Sequence, residues 1–142
     1  MSAASNYLEN ELLDHALGTG AFSMPTPVYL ALFVADSGGT GVSDNLEEGT
    51  LSDEVSSNGY SRQRITFGAA SGGTATSNLT CTFTASGGNW GTVQYVAIMD
   101  SQADSASGEN VLFYGALSSG GKIIEDGDSF QVSSGNLTVT LA

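Results

Sequence analysis

The residue types that could carry chemistry in this chain are a single histidine, a single cysteine and many carboxylates. His15 lies in an amphipathic segment, and without a second histidine a zinc site would need carboxylates alone. No Ser-His-Asp arrangement can be argued either, because serines occur throughout the chain and no GxSxG motif is present. Cys81 alternates with Leu79 and Phe83 in a strand-like run, which indicates a small buried side chain rather than a reactive thiol. We therefore predict no catalytic residue, no cofactor, no metal ligand and no enzymatic activity.

The carboxylates are the remaining candidates, and they concentrate in segments with the composition of loops. Asp100, Asp104 and Glu109 lie in one such segment, and Asp126 and Asp128 lie in another. Calcium binds several oxygens at close range, but the first segment lacks the Asp-x-Asp-x-Asp-Gly order of a helix-loop-helix site. Solvated loop charges are the main expectation, and calcium binding by the acidic loops is the alternative.

The charge balance excludes several classes of partner. Fifteen acidic residues face three basic ones, giving a net charge of −12. A protein that binds nucleic acid needs clustered Lys and Arg to neutralise phosphates, and an anionic membrane surface makes the same demand. We therefore predict neither a nucleic-acid partner nor a membrane partner. Residues 1–17 also lack the basic start and apolar centre of a secretory signal.

Two of the three basic residues stand close together, in the predicted strand 60–67. Arg62 and Arg64 alternate there and are predicted to point to the same face as Tyr60 and Thr66. In so acidic a chain both should pair with carboxylates. The carboxylates could belong to the protein's own loops or to a neighbouring subunit, and we predict Arg62 and Arg64 as interface residues with the intrachain alternative left open.

A single helix is predicted, over residues 5–18. Asn6 is expected as the N-cap with Glu9 in the capping-box position, and Gly18 is expected to end the helix. Apolar residues recur with helical spacing at Leu8, Leu12, Leu13, Ala16 and Leu17. Leu8 and Leu12 are predicted as interface residues on this stripe. The alternative is that the stripe covers the open end of the protein's own core.

The rest of the chain, residues 27–142, predicts short strands. The expected strands are 27–34, 60–67, 78–84, 91–99, 109–117, 121–124, 129–132 and 137–141. A long acidic loop, 36–59, separates the first two. Seven to eight strands without intervening helices favour an antiparallel β-sandwich or jelly roll, mainly β, in a single domain over residues 1–142.

The strand NWGTVQYVAIMD, residues 89–100, holds the only tryptophan. Trp90 is predicted to close the end of the sandwich, with Gly91 letting the backbone pass beside it. The strand is apolar on both faces and should be covered on both. Strict alternation places these residues on one face: Val93, Tyr95, Ala97 and Met99.

Five segments taken together carry a resemblance to a known family. They are SNYLENELLDHALGTG, PVYLALFVADSG, NGYSRQRITFGAAS, NWGTVQYVAIMDS and the ending VLFYGALSS…EDGDSFQV…GNLTVTL. In this order they resemble small virion structural proteins of tailed bacteriophages, which include tail-fibre-like proteins and trimeric capsid decoration (cement) proteins. The resemblance implies a non-enzymatic assembly protein and supplies no catalytic residues.

The absence of heptads and fibrous repeats in 142 residues favours a compact knob over a long rod. We therefore predict a capsid decoration protein, a homotrimer on the exterior of the virion capsid that contacts the major capsid protein and stabilises the head between capsomers. It would be made in the host cytoplasm. The alternative is a tail-fibre or tail-associated subunit that binds a host surface. A glycan-acting module is disfavoured because aromatic sugar platforms are scarce.

Overall fold

A computed structural model describes residues 3–34, 42–102 and 109–141 and shows a mainly β protein, as predicted. The elements in chain order are β1 (Ala3–Ala4), α1 (Asn6–Leu17), β2 (Val28–Val34), α2 (Val42–Glu48), β3 (Gln63–Ile65), β4 (Thr74–Thr76), β5 (Cys81–Thr84), β6 (Gly91–Met99), β7 (Val111–Ala116), β8 (Lys122–Ile124), β9 (Ser129–Val132) and β10 (Thr138–Thr140). Each predicted strand is present, most of them shortened, and the two additional strands are the short β1 and β4.

The main sheet is antiparallel and has the order β1-β7-β6-β2-β3, with β8 also pairing with β6. Its centre is β6, which pairs with β2 along one edge and with β7 and β8 along the other. This central position explains why β6 is apolar on both faces, because each face is covered by another layer. The prediction that β6 is covered on both sides is confirmed, because its buried residues divide between two separate cores.

The second layer is a two-stranded ribbon formed by residues 74–84 and 129–140. β4 pairs with β10 at one end, and β5 pairs with β9 at the other. Between these pairs the backbone contacts continue from Ser77 N to the Leu137 carbonyl oxygen at 2.8 Å and from Gly135 N to the Ser77 carbonyl oxygen at 2.8 Å. The strand carrying Gly135 has one residue more than its partner across this stretch, which marks a bulge, and Gly135 has a φ of +88°.

The larger core lies between the main sheet and this ribbon. Phe83 and Phe130 point inward from the ribbon, with ring centroids 6.3 Å apart. Tyr60 stacks on Phe83 at 6.0 Å and meets the edge of Trp90 at 5.6 Å. Trp90 is 8% exposed and its Nε1 donates to the carbonyl oxygen of Asn58 at 3.0 Å, so this buried aromatic also satisfies its polar atom.

The opposite face of the main sheet is covered by α2, which lies inside the segment predicted to be an acidic loop. That prediction, loop 36–59, is wrong for residues 42–48, and residues 36–41 lie outside the described residues. Val42 and Leu46 are buried in a second core that also contains residues of β2, β6 and β7: Ala31, Phe33, Ala97, Met99 and Val111. With only two buried apolar residues in a seven-residue helix, the pattern is too short to show helical periodicity.

Helix α1 begins and ends close to the predicted residues, but its cap differs. The N-cap is Ser5, not Asn6: the Ser5 Oγ accepts from the backbone N–H of Leu8 at 3.2 Å and donates to the carbonyl oxygen of Val111. Gly18 ends the helix in the left-handed region with a φ of +77°, as expected. Ser5 is fully buried, so this cap also fastens the helix to the main sheet.

Two details of β6 correct the strict alternation. Register shifts by one residue at Phe33 and Val34 of β2, opposite Tyr95 and Val93. This bulge turns Val93 into the same core as Val96, whereas the prediction placed Val93 with Tyr95. The prediction for Gly91 is also wrong, because a Cβ there would have no neighbour within 4 Å; the residue needs glycine for its φ of +91°.

Candidate interaction surfaces

Both ion pairs in the described structure are made by Arg62, and its side chain lies inside the protein. Its side chain is 4% exposed and is held by carboxylates from two other segments. Nε and Nη2 donate to the two oxygens of Glu54 at 2.7 and 2.6 Å, and Nη1 donates to Glu109 at 2.6 Å. Nη1 also donates to the carbonyl oxygen of Ser101 at 3.1 Å. The contact with Glu54 is the two-pronged geometry that favours arginine over lysine.

The position of Glu54 follows from the backbone beside β2. Val34 N donates to the Asp53 carbonyl oxygen at 2.9 Å and Val55 N donates to the Leu32 carbonyl oxygen at 3.0 Å, so this segment runs along the edge of β2. Tyr60 completes the cluster: its hydroxyl donates to Glu54 at 2.8 Å and accepts from Leu32 N at 3.0 Å. The cluster is therefore fixed to the main sheet by both backbone and side-chain contacts.

The electrostatics of the cluster follow from burial and from this pairing. Burial alone lowers the pKa of Arg62, but hydrogen bonds and charge attraction from Glu54, and then from Glu109, outweigh it and raise the pKa above its ordinary value. Burial is the main cause of the raised pKa of Tyr60, and the negative charge of Glu54 adds to it. An open cleft of about 420 Å³ adjoins these residues, but Arg62 already donates from all three nitrogens.

The predicted arginine pair is therefore split by the structure. Regular β3 covers only residues 63–65, so Arg62 precedes the strand and turns inward, whereas Arg64 is exposed. The prediction that both point to one face is wrong for this reason. Arg62 pairs with carboxylates of its own chain, which is the alternative left open above. For Arg64 an interface role stays a prediction. Glu54 and Glu109 were not singled out as partners, although so few cations among so many carboxylates favour such pairing.

The leucine stripe of α1 divides into two sets. Leu8 is 4% exposed and lies in the larger core, and Leu12 packs against that core as a partly buried residue. Leu13 and Leu17 are 58% and 74% exposed. Leu8 and Leu12 therefore cover the protein's own core, which is the alternative stated above, while their predicted interface role is untested. The pair Leu13 and Leu17, four residues apart on one helix face, is called the α1 patch below.

His15 and Cys81 have structural surroundings. His15 is exposed, and its Nδ1 accepts from the backbone N–H of Phe22 at 3.2 Å, which draws the segment after α1 back along the helix. Cys81 is 2% exposed, and its Sγ donates to the carbonyl oxygen of Arg64 at 3.2 Å. Burial raises the pKa of this thiol, which keeps it protonated and unreactive. Leu79, expected on the same face, is exposed instead.

Three described carboxylates of the predicted acidic loops, Asp100, Asp126 and Asp128, cap turns or strand ends. Asp100 accepts from the backbone N–H and the side-chain amide of Asn110 at 2.7 and 2.8 Å. Asp126 accepts from Gly87 N at 2.9 Å, and Asp128 accepts from Glu125 N at 3.0 Å. Within residues 3–34, 42–102 and 109–141, no group of three or more His, Cys, Asp and Glu is arranged to hold a metal. Asp104 lies outside the described residues.

These features define a small antiparallel β-sandwich whose only buried ion-pair cluster, in the described part of the chain, is internal. A protein-family model matches residues 3–140, and its description is "Gp80: Podophage GP4 fiber I protein gp80". The match covers nearly the whole chain, and the chain belongs to this family of tailed-phage virion structural proteins. A search of curated proteins found no match. None of the described helices is long and apolar enough to cross a membrane.

Proposed function

We propose that the protein is a fibre subunit of a tailed-phage virion, and that several copies of it work by non-covalent assembly. The observation that carries this proposal is the family match over residues 3–140, whose description names a fibre protein. The first expectation from the sequence, a cement protein bound to the major capsid protein on the head, has no support in that description. The fibre alternative fits it better, and the head location becomes an outcome of the test.

The α1 patch is the surface proposed for attachment to another virion protein. Leu13 and Leu17 expose most of their side chains, and Met24, shortly after the helix, is 80% exposed. Exposed apolar residues that lie side by side, as Leu13 and Leu17 do one helical turn apart, mark contact sites more often than scattered ones do. The contact would bury these leucines in a partner while Leu8 and Leu12 keep α1 fixed to its own core.

Assembly rather than turnover is supported by the use the protein makes of its polar groups. In the portion of the chain that is described, every buried side-chain nitrogen and oxygen has a hydrogen-bond partner. His15 is exposed and far in sequence from the cluster of Arg62, Glu54 and Glu109. We therefore propose no enzymatic activity and no cofactor for this protein.

The proposed partners are proteins rather than nucleic acid or lipid. The net charge is −12, and of the three basic residues Arg62 is already paired with two carboxylates of its own chain. Arg64 and Lys122 are then the only basic side chains left to meet a phosphate. Two separated cations cannot neutralise the backbone of a nucleic acid.

The test is to locate the protein in the virion and to disable the α1 patch. Immunogold labelling of purified virions should mark fibres or the tail, not the head shell. The double variant Leu13→Ser and Leu17→Ser should be incorporated poorly into virions that are assembled without the wild-type protein. The matched control is Ile123→Ser, which removes a residue of similar exposure, 69%, on β8, and should be incorporated normally.

Two results would count against the proposal. Gold on the head shell, together with a rise in the melting temperature of isolated heads when purified protein is added, would establish the cement function, because a ligand of the assembled shell stabilises it. Normal incorporation of a folded Leu13→Ser and Leu17→Ser variant would remove the α1 patch as the attachment surface.

A further inference from the structure

The outer side of the ribbon is a surface without charged groups. We call it the hydroxyl face. It consists of the even-numbered residues from Thr74 to Thr84 on one strand, and of Ser129, Gln131, Ser134 and the even-numbered residues from Asn136 to Thr140 on the other. Every one of these side chains is Thr, Ser, Asn or Gln, and all are exposed except the half-buried Thr74.

Alternation along the ribbon produces this surface. Residues between them, including Cys81, Phe83 and Phe130, point into the core, whereas Leu79 is exposed. On the outside, polar side chains contact each other across the strands. Thr84 and Ser129 have hydroxyl oxygens 2.9 Å apart, and those of Thr74 and Thr140 are 3.2 Å apart. The face is therefore an ordered array, fixed by both the core beneath it and these lateral contacts.

The absence of charge from the hydroxyl face contrasts with the rest of the protein. The acidic residues of the described structure lie on α1, on α2 and its following loop, around residues 100–109 and in the turn 125–128. Strand edges of natural proteins are commonly protected by charged side chains, which prevent unwanted association. The ribbon has strand edges and an open outer side but no such protection on that side, which is the condition expected of a surface covered in the assembled state.

We infer that the hydroxyl face contacts a second copy of this chain. Two copies of charge −12 repel each other, so the favoured contact is one that brings no carboxylate against another. Hydroxyl and amide groups both donate and accept hydrogen bonds, and such a surface is complementary to itself. A basic partner would find no carboxylate here to pair with, and a saccharide would find no aromatic ring to stack on.

The dimensions of the hydroxyl face set the expected affinity of the contact between two copies. Eleven residues of extended chain, 74–84, span about 36 Å at roughly 3.3 Å per residue. The face is two strands wide over most of this length, with residues 66–68 paired alongside residues 76–78 at one end. It therefore offers less than the ~800 Å² per partner of a standard interface. We expect weak association of free chains, strengthened where copies are held together. This inference rests on the proposed function only in that the protein works as several copies.

The test places a carboxylate on the hydroxyl face. Thr82→Glu and Thr138→Glu each change one end of the ribbon, and Thr82→Gln and Thr138→Gln keep the shape without the charge. Thr50→Glu adds the same charge at an exposed position after α2. Sedimentation velocity over a range of concentrations gives the dissociation constant of self-association. Trp90 fluorescence reports on folding, because that tryptophan is buried in the core between the two layers.

Wild type should associate with rising concentration, and each Glu variant on the face should raise the dissociation constant by about tenfold or more, since like charges then meet. The Gln variants and Thr50→Glu should associate as wild type does. Salt at 0.5 M should narrow the difference by screening. Glu variants that associate like wild type, or a wild-type chain that stays monomeric up to about 1 mM, would overturn the inference. The gold-labelling result is independent of this outcome, so failure of the face and failure of the fibre location remain distinguishable.

Discussion

Replacing Arg62 with methionine should destabilise the fold far more than the same replacement at Arg64. Arg62 is 4% exposed and makes charge-assisted contacts of 2.6–2.7 Å with Glu54 and Glu109. Methionine has similar length but no charge, so both carboxylates would remain in place without their cation. Removing one partner of a buried ion pair costs about 3–5 kcal/mol, most of it from the uncompensated charge left behind.

The expected value for Arg62→Met is at the lower end, about 3 kcal/mol, because Glu54 and Glu109 are 12% and 15% exposed and can recover some hydration. The Tyr60 hydroxyl, which donates to Glu54, also remains. For a domain of this size, about 3 kcal/mol corresponds to a fall in melting temperature of about 10 °C. Arg64 is exposed, and its replacement should change stability by less than about 0.5 kcal/mol.

Urea unfolding followed by Trp90 fluorescence measures both variants. A third variant, Arg62→Met with Glu109→Gln, should recover part of the loss because one unpaired charge is removed. The reasoning is refuted if Arg62→Met costs less than about 1 kcal/mol, or if Arg64→Met costs as much. In either case Arg62 would not be the internal anchor that its contacts indicate. A stable, folded Arg62→Met chain that no longer assembles would instead restore the interface prediction.

Further predictions concern other parts of the fold. The free energy of unfolding should fall above about pH 10, the ordinary pKa of tyrosine, because the pKa of Tyr60 is raised in the folded state and the fold favours its neutral form. Tyr60→Phe should reduce this pH dependence by up to about 1.4 kcal/mol per pH unit. Urea unfolding at pH 9 to 11 measures the difference. Ser5→Ala should cost about 1–2 kcal/mol in thermal unfolding, since it removes the N-cap of α1 and leaves the Val111 carbonyl without its hydroxyl partner. Leu46→Ala should cost about 2–5 kcal/mol, because Leu46 is fully buried beneath α2, whereas Leu17→Ala on exposed α1 should be nearly neutral; comparable losses from both would contradict the assignment of α2 as a covering layer.

The elements that sequence patterns predicted well are those whose periodicity is long or sharply bounded. β6 and β9 have the predicted ends, because glycine, serine and acidic turn residues bound both runs. The helix α1 follows from the apolar spacing and from Gly18. The mainly β class follows from eight such strand-like runs. Local sequence determined these features, and tertiary contacts changed little beyond their ends.

The features that patterns did not reveal depend on contacts distant in sequence. α2 is stabilised by burial of Val42 and Leu46 in the core on the outer face of the main sheet, and nothing in its seven residues marks it as helical without that face. Ser5 replaces Asn6 as the cap because its hydroxyl also reaches Val111, 106 residues away in the chain. The inward turn of Arg62 likewise depends on Glu54 and Glu109, whose positions are set by the sheet edge and not by spacing along the sequence.

Arg62 holds the two acidic segments of the chain to the main sheet, and this internal role limits which surfaces remain for the proposed assembly. Glu54 comes at the end of the first acidic segment and Glu109 at the end of the second, so one guanidinium fastens both to the main sheet. With Arg62 committed to this internal role, Arg64 and Lys122 are too few to attract an acidic neighbour by charge. The contacts that we propose between copies would then use surfaces that lack carboxylates. The hydroxyl face meets that condition. The α1 patch, proposed for attachment to another virion protein, would add apolar burial, which salt screening does not weaken. Assembly through these two surfaces should therefore survive moderate salt, unlike assembly held together by ion pairs.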